Sequence, residues 1–166
     1  LLFVSGKLAG SHKNISDFQT DIRRPSKELS RYIVSTTARS IYIPSLRDNK
    51  IEVLDIFDRP DNSLLNAERS VTTVSTQALF LMNNPKIIAL AKEQADKLLE
   101  RNKKMGKTMP KILYRNNVNE IFLKFLNRPP TNVETEASID FIEKDNNNLA
   151  HLIQILICTG EFRNVK

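Results

Sequence analysis

The chain has 166 residues, with 25 basic and 19 acidic side chains and a formal net charge of +6. That length suits one domain that buries about two thirds of its unfolded surface. The single cysteine, Cys158, excludes an internal disulfide, and the sequence has no apolar run of about 18 residues of the kind that spans a membrane.

The first part of the chain, residues 1–74, is predicted to be irregular. Residues 7–28 are polar without a sustained period, which indicates a long loop over the domain. Two β-rich runs at 32–35 and 39–43 favour either a short β-hairpin or one extended segment. Apolar side chains then follow a loose helical spacing over residues 46–57.

The chain is organised around the stretch from residue 69 to residue 85. Its β-branched, hydroxyl-rich beginning leads into a helix whose first turn Ser75 or Thr76 can cap. Residues 78–82 are apolar on every side, which predicts a helix buried at the centre of the domain. Pro85 is expected to end or kink this helix, because the residue before a proline avoids the helical region.

The second part of the chain, residues 75–166, is predicted to be helical. Pro85 opens an amphipathic helix, and Asn127 suits the left-handed C-cap of the following one. Thr131 and Glu134 have the spacing of a capping box that begins a third helix, and a fourth ends near Gly160. The expected fold is therefore mainly α, an irregular helical domain with a central buried helix. Its N-terminal half holds either a short β-hairpin or one extended segment.

The net charge is unevenly distributed along the chain. Residues 92–115 hold eight basic and three acidic side chains, whereas residues 130–161 hold six acidic and one basic. The basic segment indicates either an anionic partner or solvated helix faces joined by a basic loop. Nucleic-acid stacking surfaces interleave several aromatic and basic side chains, but Tyr114 is the one aromatic residue of this segment. A nucleic-acid partner is therefore not expected.

The residue types that carry metal or acyl-transfer chemistry are sparse. His12, His151 and Cys158 are too few for structural zinc, which takes four ligands. Haem attachment needs two cysteines next to a histidine, and no Gly-x-Ser-x-Gly nucleophile elbow is present. We therefore predict no cofactor and no metal, and we assign no catalytic residue.

Several groups of residues occur in an order that a known family shares. They are residues 39–43 with Arg47, Phe57-Asp58 with Pro60-Asp61, residues 69–83, Tyr114 with residues 126–131, and Gly160-Glu161-Phe162. On these residues the chain resembles PSD1 (DUF1553), a C-terminal domain of unknown function in large bacterial proteins of the planctomycete type. The resemblance spans residues 1–166, and its most specific part is residues 72–83. Ser75 and Asn127 stand where the family usually has proline and glycine, and both substitutions are physically compatible.

The resemblance also implies a cellular context. The chain is expected to be the C-terminal fragment of one such domain, within a larger bacterial protein that is periplasmic or secreted. The implied partners are the upstream domain of the same polypeptide and cytochrome-c-like or lectin-like modules. Because the family supplies no reaction, we expect a non-catalytic structural or interaction module. The alternative is part of an enzyme or redox assembly whose active site a missing upstream domain completes.

Six polar residues in or beside these shared segments form the candidate site. One interpretation is a buried hydrogen-bond and ion-pair network that fixes the irregular first half around the central helix. The other is a cleft that binds a carboxylate or another ligand, with the arginines as bidentate clamps. The six residues are Arg39, Arg47, Asp58, Arg69, Gln77 and Asn83.

Overall fold

A computed structural model describes residues 2, 5–10, 13, 27–43, 51–58, 74–104, 110–145 and 147–163. These residues form helices and turns and contain no β-strand, which confirms the mainly α fold. The chain divides into two compact units, Leu1–Gln77 and Ala78–Lys166.

The first unit has a small apolar core on one face of helix α1, Lys27–Ser35. Leu29 and Ile33 are buried there, one helical turn apart, because side chains four positions apart lie on the same face of a helix. Half-buried Tyr32, Ile43 and Ile51 pack against them. The short helix α2, Glu52–Ile56, follows Ile51.

The two β-rich runs form neither a β-hairpin nor one extended segment, because most of their residues are helical. Residues 32–35 form the last turn of α1, and Ser40–Tyr42 is a 3₁₀ turn. The β-branched side chains suggested strands, but strand propensity gives way to tertiary packing. Leu29 and Ile33 are four positions apart, so a helix places both side chains on the same buried face.

The central stretch forms helix α3, Val74–Asn83, which spans the boundary between the two units. The expectation that it is buried on every side is wrong. In the second unit Leu81 is buried, whereas Leu79 is 59% exposed and Met82 is 54% exposed. An apolar composition does not by itself require burial, because apolar atoms contribute more than half of a typical folded surface. The last turn of α3 makes a polar contact, because Gln154 Nε2 donates to the Met82 carbonyl oxygen at 2.7 Å.

In the described part of the second unit, the end of α3 is followed by four longer helices and one short helix. They are α4, Pro85–Lys104; α5, Pro110–Leu126; α6, Asn132–Lys144; α7, Asn148–Cys158; and α8, Gly160–Arg163. Helix α7 packs against α4, α5 and α6, and its Leu149, Ile153 and Ile157 are almost completely buried. The centre of this core is therefore α7 rather than α3.

The helix boundaries of the second unit follow from its capping residues. Asn84 Oδ1 accepts a hydrogen bond from the Lys86 amide at 2.9 Å, and Pro85 occupies the first position of α4. Asn127 has a φ of 55°, the left-handed conformation expected after α5. Thr131 and Glu134 form the predicted capping box at the start of α6. The expected boundaries at these positions are confirmed.

We expect Thr131→Ala to lower the free energy of unfolding by about 1 kcal/mol. The substitution removes the hydroxyl that accepts the Glu134 amide proton and leaves that donor without its cap. Thr131→Ser keeps the hydroxyl and serves as the control in urea denaturation. Equal stabilities of the alanine and serine variants would contradict the assignment of this cap.

Candidate functional site

Asp58 and Gln77 are the two members of the predicted polar group that the structure brings together. Asp58 follows α2 with a φ of 58°, a left-handed conformation that aspartate tolerates better than most residues. Gln77 lies at the start of α3, and its Nε2 donates to Asp58 Oδ2 at 3.2 Å. Both residues are half-buried. The pair connects two segments of the first unit that are 19 residues apart.

The other four members of the group are not brought into this contact. Arg39 precedes the 3₁₀ turn and is exposed, and Asn83 ends α3 and is also exposed. Arg47 and Arg69 lie outside the described residues. The polar-network and binding-cleft interpretations therefore both stay predictions.

In the second unit, Arg128 is the centre of an ionic cluster, here called the Arg128 clamp, that also contains Glu134 and Glu161. Arg128 Nη1 and Nη2 donate to the two carboxylate oxygens of Glu134 at 2.9 and 2.7 Å. Its Nε and Nη2 donate to the two carboxylate oxygens of Glu161 at 2.5 and 3.0 Å. Nη1 also donates to the Pro129 carbonyl oxygen at 3.1 Å. All five guanidinium N–H donors are therefore used.

The clamp is assembled by helix ends. The left-handed Asn127 stops α5 and directs the chain into the turn that carries Arg128. Glu134 is in the first turn of α6, where its carboxylate also accepts the Thr131 amide proton at 2.7 Å. Glu161 is in the first turn of α8. The guanidinium carbon of Arg128 lies 5.6 Å from the ring centroid of Phe122, so a cation–π contact adds to the ion pairs.

The three ionised groups shift one another's pKa values. The hydrogen bonds from Arg128 lower the pKa of Glu134 to about 2, and the Thr131 amide contributes to the same shift. The Arg128 hydrogen bonds also lower the pKa of Glu161. In return, the hydrogen bonds to the two carboxylates raise the pKa of Arg128. Every group of the clamp is therefore stabilised in its charged form.

The clamp should make stability fall at acidic pH. Glu134 has an ordinary pKa of 4.5 when unfolded and about 2 when folded, so its contribution is complete above pH 4.5. That contribution is lost as the pH falls from 4.5 through about 2. Carboxyl NMR titration should give a low pKa for Glu134 that returns towards 4.5 in Arg128→Gln. An unchanged titration curve in that variant would show that Arg128 is not the cause.

A second polar arrangement, here called the polar seam, joins α4 to α5. Asn102 Nδ2 donates to Asn117 Oδ1 at 3.0 Å, and both side chains belong to buried residues. Lys124 Nζ donates to Oε1 of Gln94 at 2.7 Å, and Gln94 is also buried. From Gln94 to Asn102 the residue numbers increase along α4, whereas those of their partners decrease from Lys124 to Asn117 along α5. The two pairs therefore hold α4 and α5 in an antiparallel register.

Part of the basic segment also takes part in internal pairing. Arg101 on α4 forms a bidentate ion pair with Glu120 on α5, next to the polar seam. Lys97 Nζ lies 2.9 Å from Glu93 Oε1 on the same helix. These contacts neutralise two of the basic side chains that made the segment resemble an anion-binding surface. Residues 105–109, the centre of the predicted basic loop, lie outside the described residues.

Sequence reasoning missed both the Arg128 clamp and the polar seam. Arg128 and Glu161 both lie in segments that the family resemblance includes, but the chain separates the two residues by 33 positions. Only folding shows that their charges meet. For the polar seam, the sequence offers one indication, which is the position of Asn117 inside a predicted helix. Asparagine is a poor residue for a helix interior unless its side chain has a partner.

Metal and thiol chemistry have little support in the residues that the structure describes. Among them, no three side chains of histidine, cysteine, aspartate and glutamate converge on a position that could hold a metal ion. Cys158 is half-buried at the end of α7, and burial raises the pKa of its thiol. Within the same residues, no helix combines the length and the apolar character needed to cross a membrane.

These features define a class of protein, a mainly α domain in whose second unit hydrogen-bonded and ion-paired side chains join the helices. Residues 1–142 match the model of PSD1, described as a protein of unknown function (DUF1553). The chain belongs to this family. No curated protein and no solved structure matches it. The matched region includes Arg128 and Glu134 and ends before Glu161.

Proposed function

We propose that the chain is a non-catalytic structural or interaction module of a larger exported bacterial multidomain protein. The observation that carries this proposal is the saturation of Arg128, whose five N–H donors all serve contacts within the second unit. Catalytic and ligand-binding groups instead keep donors or acceptors available for a substrate. A saturated guanidinium at a junction of helix ends serves the stability of the fold.

The buried polar groups support the same role. In the parts of the chain that the structure describes, each buried side-chain nitrogen or oxygen has a hydrogen-bond partner. The Asn102–Asn117 pair shows this within the polar seam. A fully paired polar interior favours one rigid arrangement of helices, as a scaffold requires.

Exposed apolar side chains support the interaction part of the proposal. In the second unit, Leu79 and Met82 on α3, Ile88 on α4 and Ile155 on α7 are each more than 40% exposed. Burying such side chains against another domain contributes about 25 cal/mol for each Å² of apolar surface. The partner that the family resemblance suggests is the upstream domain of the same polypeptide. Cytochrome-c-like or lectin-like modules of the full-length protein are more distant candidates.

Cell fractionation tests the exported multidomain context. An antibody raised against the purified chain should detect a polypeptide much larger than 19.0 kDa, the mass of these residues alone. The signal should lie in the periplasmic fraction or in the culture medium, with a cytoplasmic enzyme as the marker of leakage. A 19.0 kDa species confined to the cytoplasmic fraction would contradict the proposal.

A further inference from the structure

We infer that α8 is a releasable latch, which opens and closes on the Arg128 clamp while helices α4 to α7 stay folded. Two sets of contacts define this latch: those that hold α8 in place, and those that remain around Arg128 when α8 leaves.

The residues of α8 are exposed or half-buried, and none of them contributes a buried side chain. Arg163 Nε donates to the Thr159 carbonyl oxygen at 3.3 Å. The Glu161 carboxylate pairs with Arg128, and the Phe162 ring lies 6.3 Å from the Phe125 ring at an angle of 48°. Thr159 Oγ1 accepts the Phe162 amide proton at 3.3 Å, as the hydroxyl of a helix cap does. A helix of four residues is not stable without such contacts.

Release of α8 leaves Arg128 well paired. The guanidinium keeps both hydrogen bonds to Glu134, its bond to the Pro129 carbonyl and its position over the Phe122 ring. The Glu161 carboxylate is 45% exposed in the closed form and becomes hydrated on opening. Neither charge is therefore stranded in an apolar environment, which is the cost that normally keeps an ion pair closed.

The two carboxylates of the clamp consequently have different roles. Glu134 is part of the capping box and stays with α6, so it holds Arg128 in both forms. Glu161 moves with α8 and decides whether the Nε edge of Arg128 and the Phe125 ring are covered. Opening frees two of the five N–H donors of Arg128, and the other three stay paired with Glu134 and the Pro129 carbonyl.

Hydrogen exchange on the full 166-residue chain tests the latch. By ¹⁵N NMR, the Arg128 Nε–H and the Phe162 amide should exchange through a shared local opening. We expect that exchange to be at least about a hundredfold faster than that of the buried Ile153 amide. Glu161→Gln should accelerate the Arg128 Nε–H and the Phe162 amide by about fivefold and leave Ile153 unchanged. Phe162→Ala should act in the same direction on both signals.

Glu136→Gln is the matched control, because Glu136 is an exposed acid on α6 and Gln removes the same charge. It should change none of the three exchange rates. The latch is overturned if α8 and Ile153 exchange at the same rate in the unaltered chain. It is also overturned if Glu161→Gln accelerates Ile153 as strongly as Phe162, because α8 would then unfold only together with the bundle.

Discussion

Ile153→Ala should lower the free energy of unfolding by about 2–5 kcal/mol, the range for truncating a fully buried isoleucine. Ile153 has no exposed surface, and its helix α7 packs against α4, α5 and α6. The loss combines the transfer energy of the removed methyl groups with the cavity they leave between these helices. Urea denaturation followed by circular dichroism measures the change.

The same helix provides a matched control, because Ile155 is 51% exposed. Ile155→Ala removes the same atoms and should change stability by about 0.5 kcal/mol or less, as is usual at the surface. A loss at Ile155 equal to that at Ile153 would contradict the assignment of α7 as the centre of the core.

Asn117→Ala should destabilise the chain by about 1–3 kcal/mol, because it leaves the buried Asn102 amide without an acceptor. The cost arises from the unsatisfied donor rather than from the lost bond alone. Alanine is the better helix former, so helix propensity opposes this loss and cannot explain it. Thermal and urea denaturation should both show that Asn117→Ala lowers the stability of the chain.

Two further variants separate pairing from a general effect on α5. Asn116→Ala alters an exposed asparagine one position earlier and should be neutral or slightly stabilising. Replacing both Asn102 and Asn117 by alanine should cost less than the sum of the two single losses, which shows direct coupling. Additive losses of stability would mean that Asn102 and Asn117 do not stabilise the chain through their mutual hydrogen bond.

Local chemistry predicted much of the second unit. The Pro85 start of α4, the left-handed Asn127 and the capping box at Thr131 each depend on residues within one helical turn. Such signals are contained in a short window of sequence and do not need the rest of the fold. The structure confirms these three because each is decided by backbone groups close to it.

The errors lie where distant packing decides the outcome. The segment at residues 32–35 has strand propensity but forms the end of α1, because Leu29 and Ile33 share a buried face. The apolar residues 78–82 suggested a buried helix, but Leu79 and Met82 are largely exposed. An apolar side chain favours burial, but the positions of the neighbouring helices decide whether it is buried.

The candidate site was only partly predictable for the same reason. Asp58 and Gln77 were grouped by their place in the shared segments, and their side chains do meet at 3.2 Å. The Arg128–Glu161 contact joins residues that are 33 positions apart, and no periodicity relates them. Pairing across such a distance depends on how α8 returns to α5, which the sequence pattern does not contain.

Arg128 has a structural role in the clamp, and a double-mutant cycle with Glu134 tests that role most directly. Both side chains are about one third exposed, at 34% and 35%, so solvent screening limits their coupling to about 1 kcal/mol. Urea denaturation of the unaltered chain, Arg128→Gln, Glu134→Gln and the double variant should give a favourable coupling of that size. Zero coupling, with Arg128→Gln as stable as the unaltered chain, would contradict the structural role of the clamp.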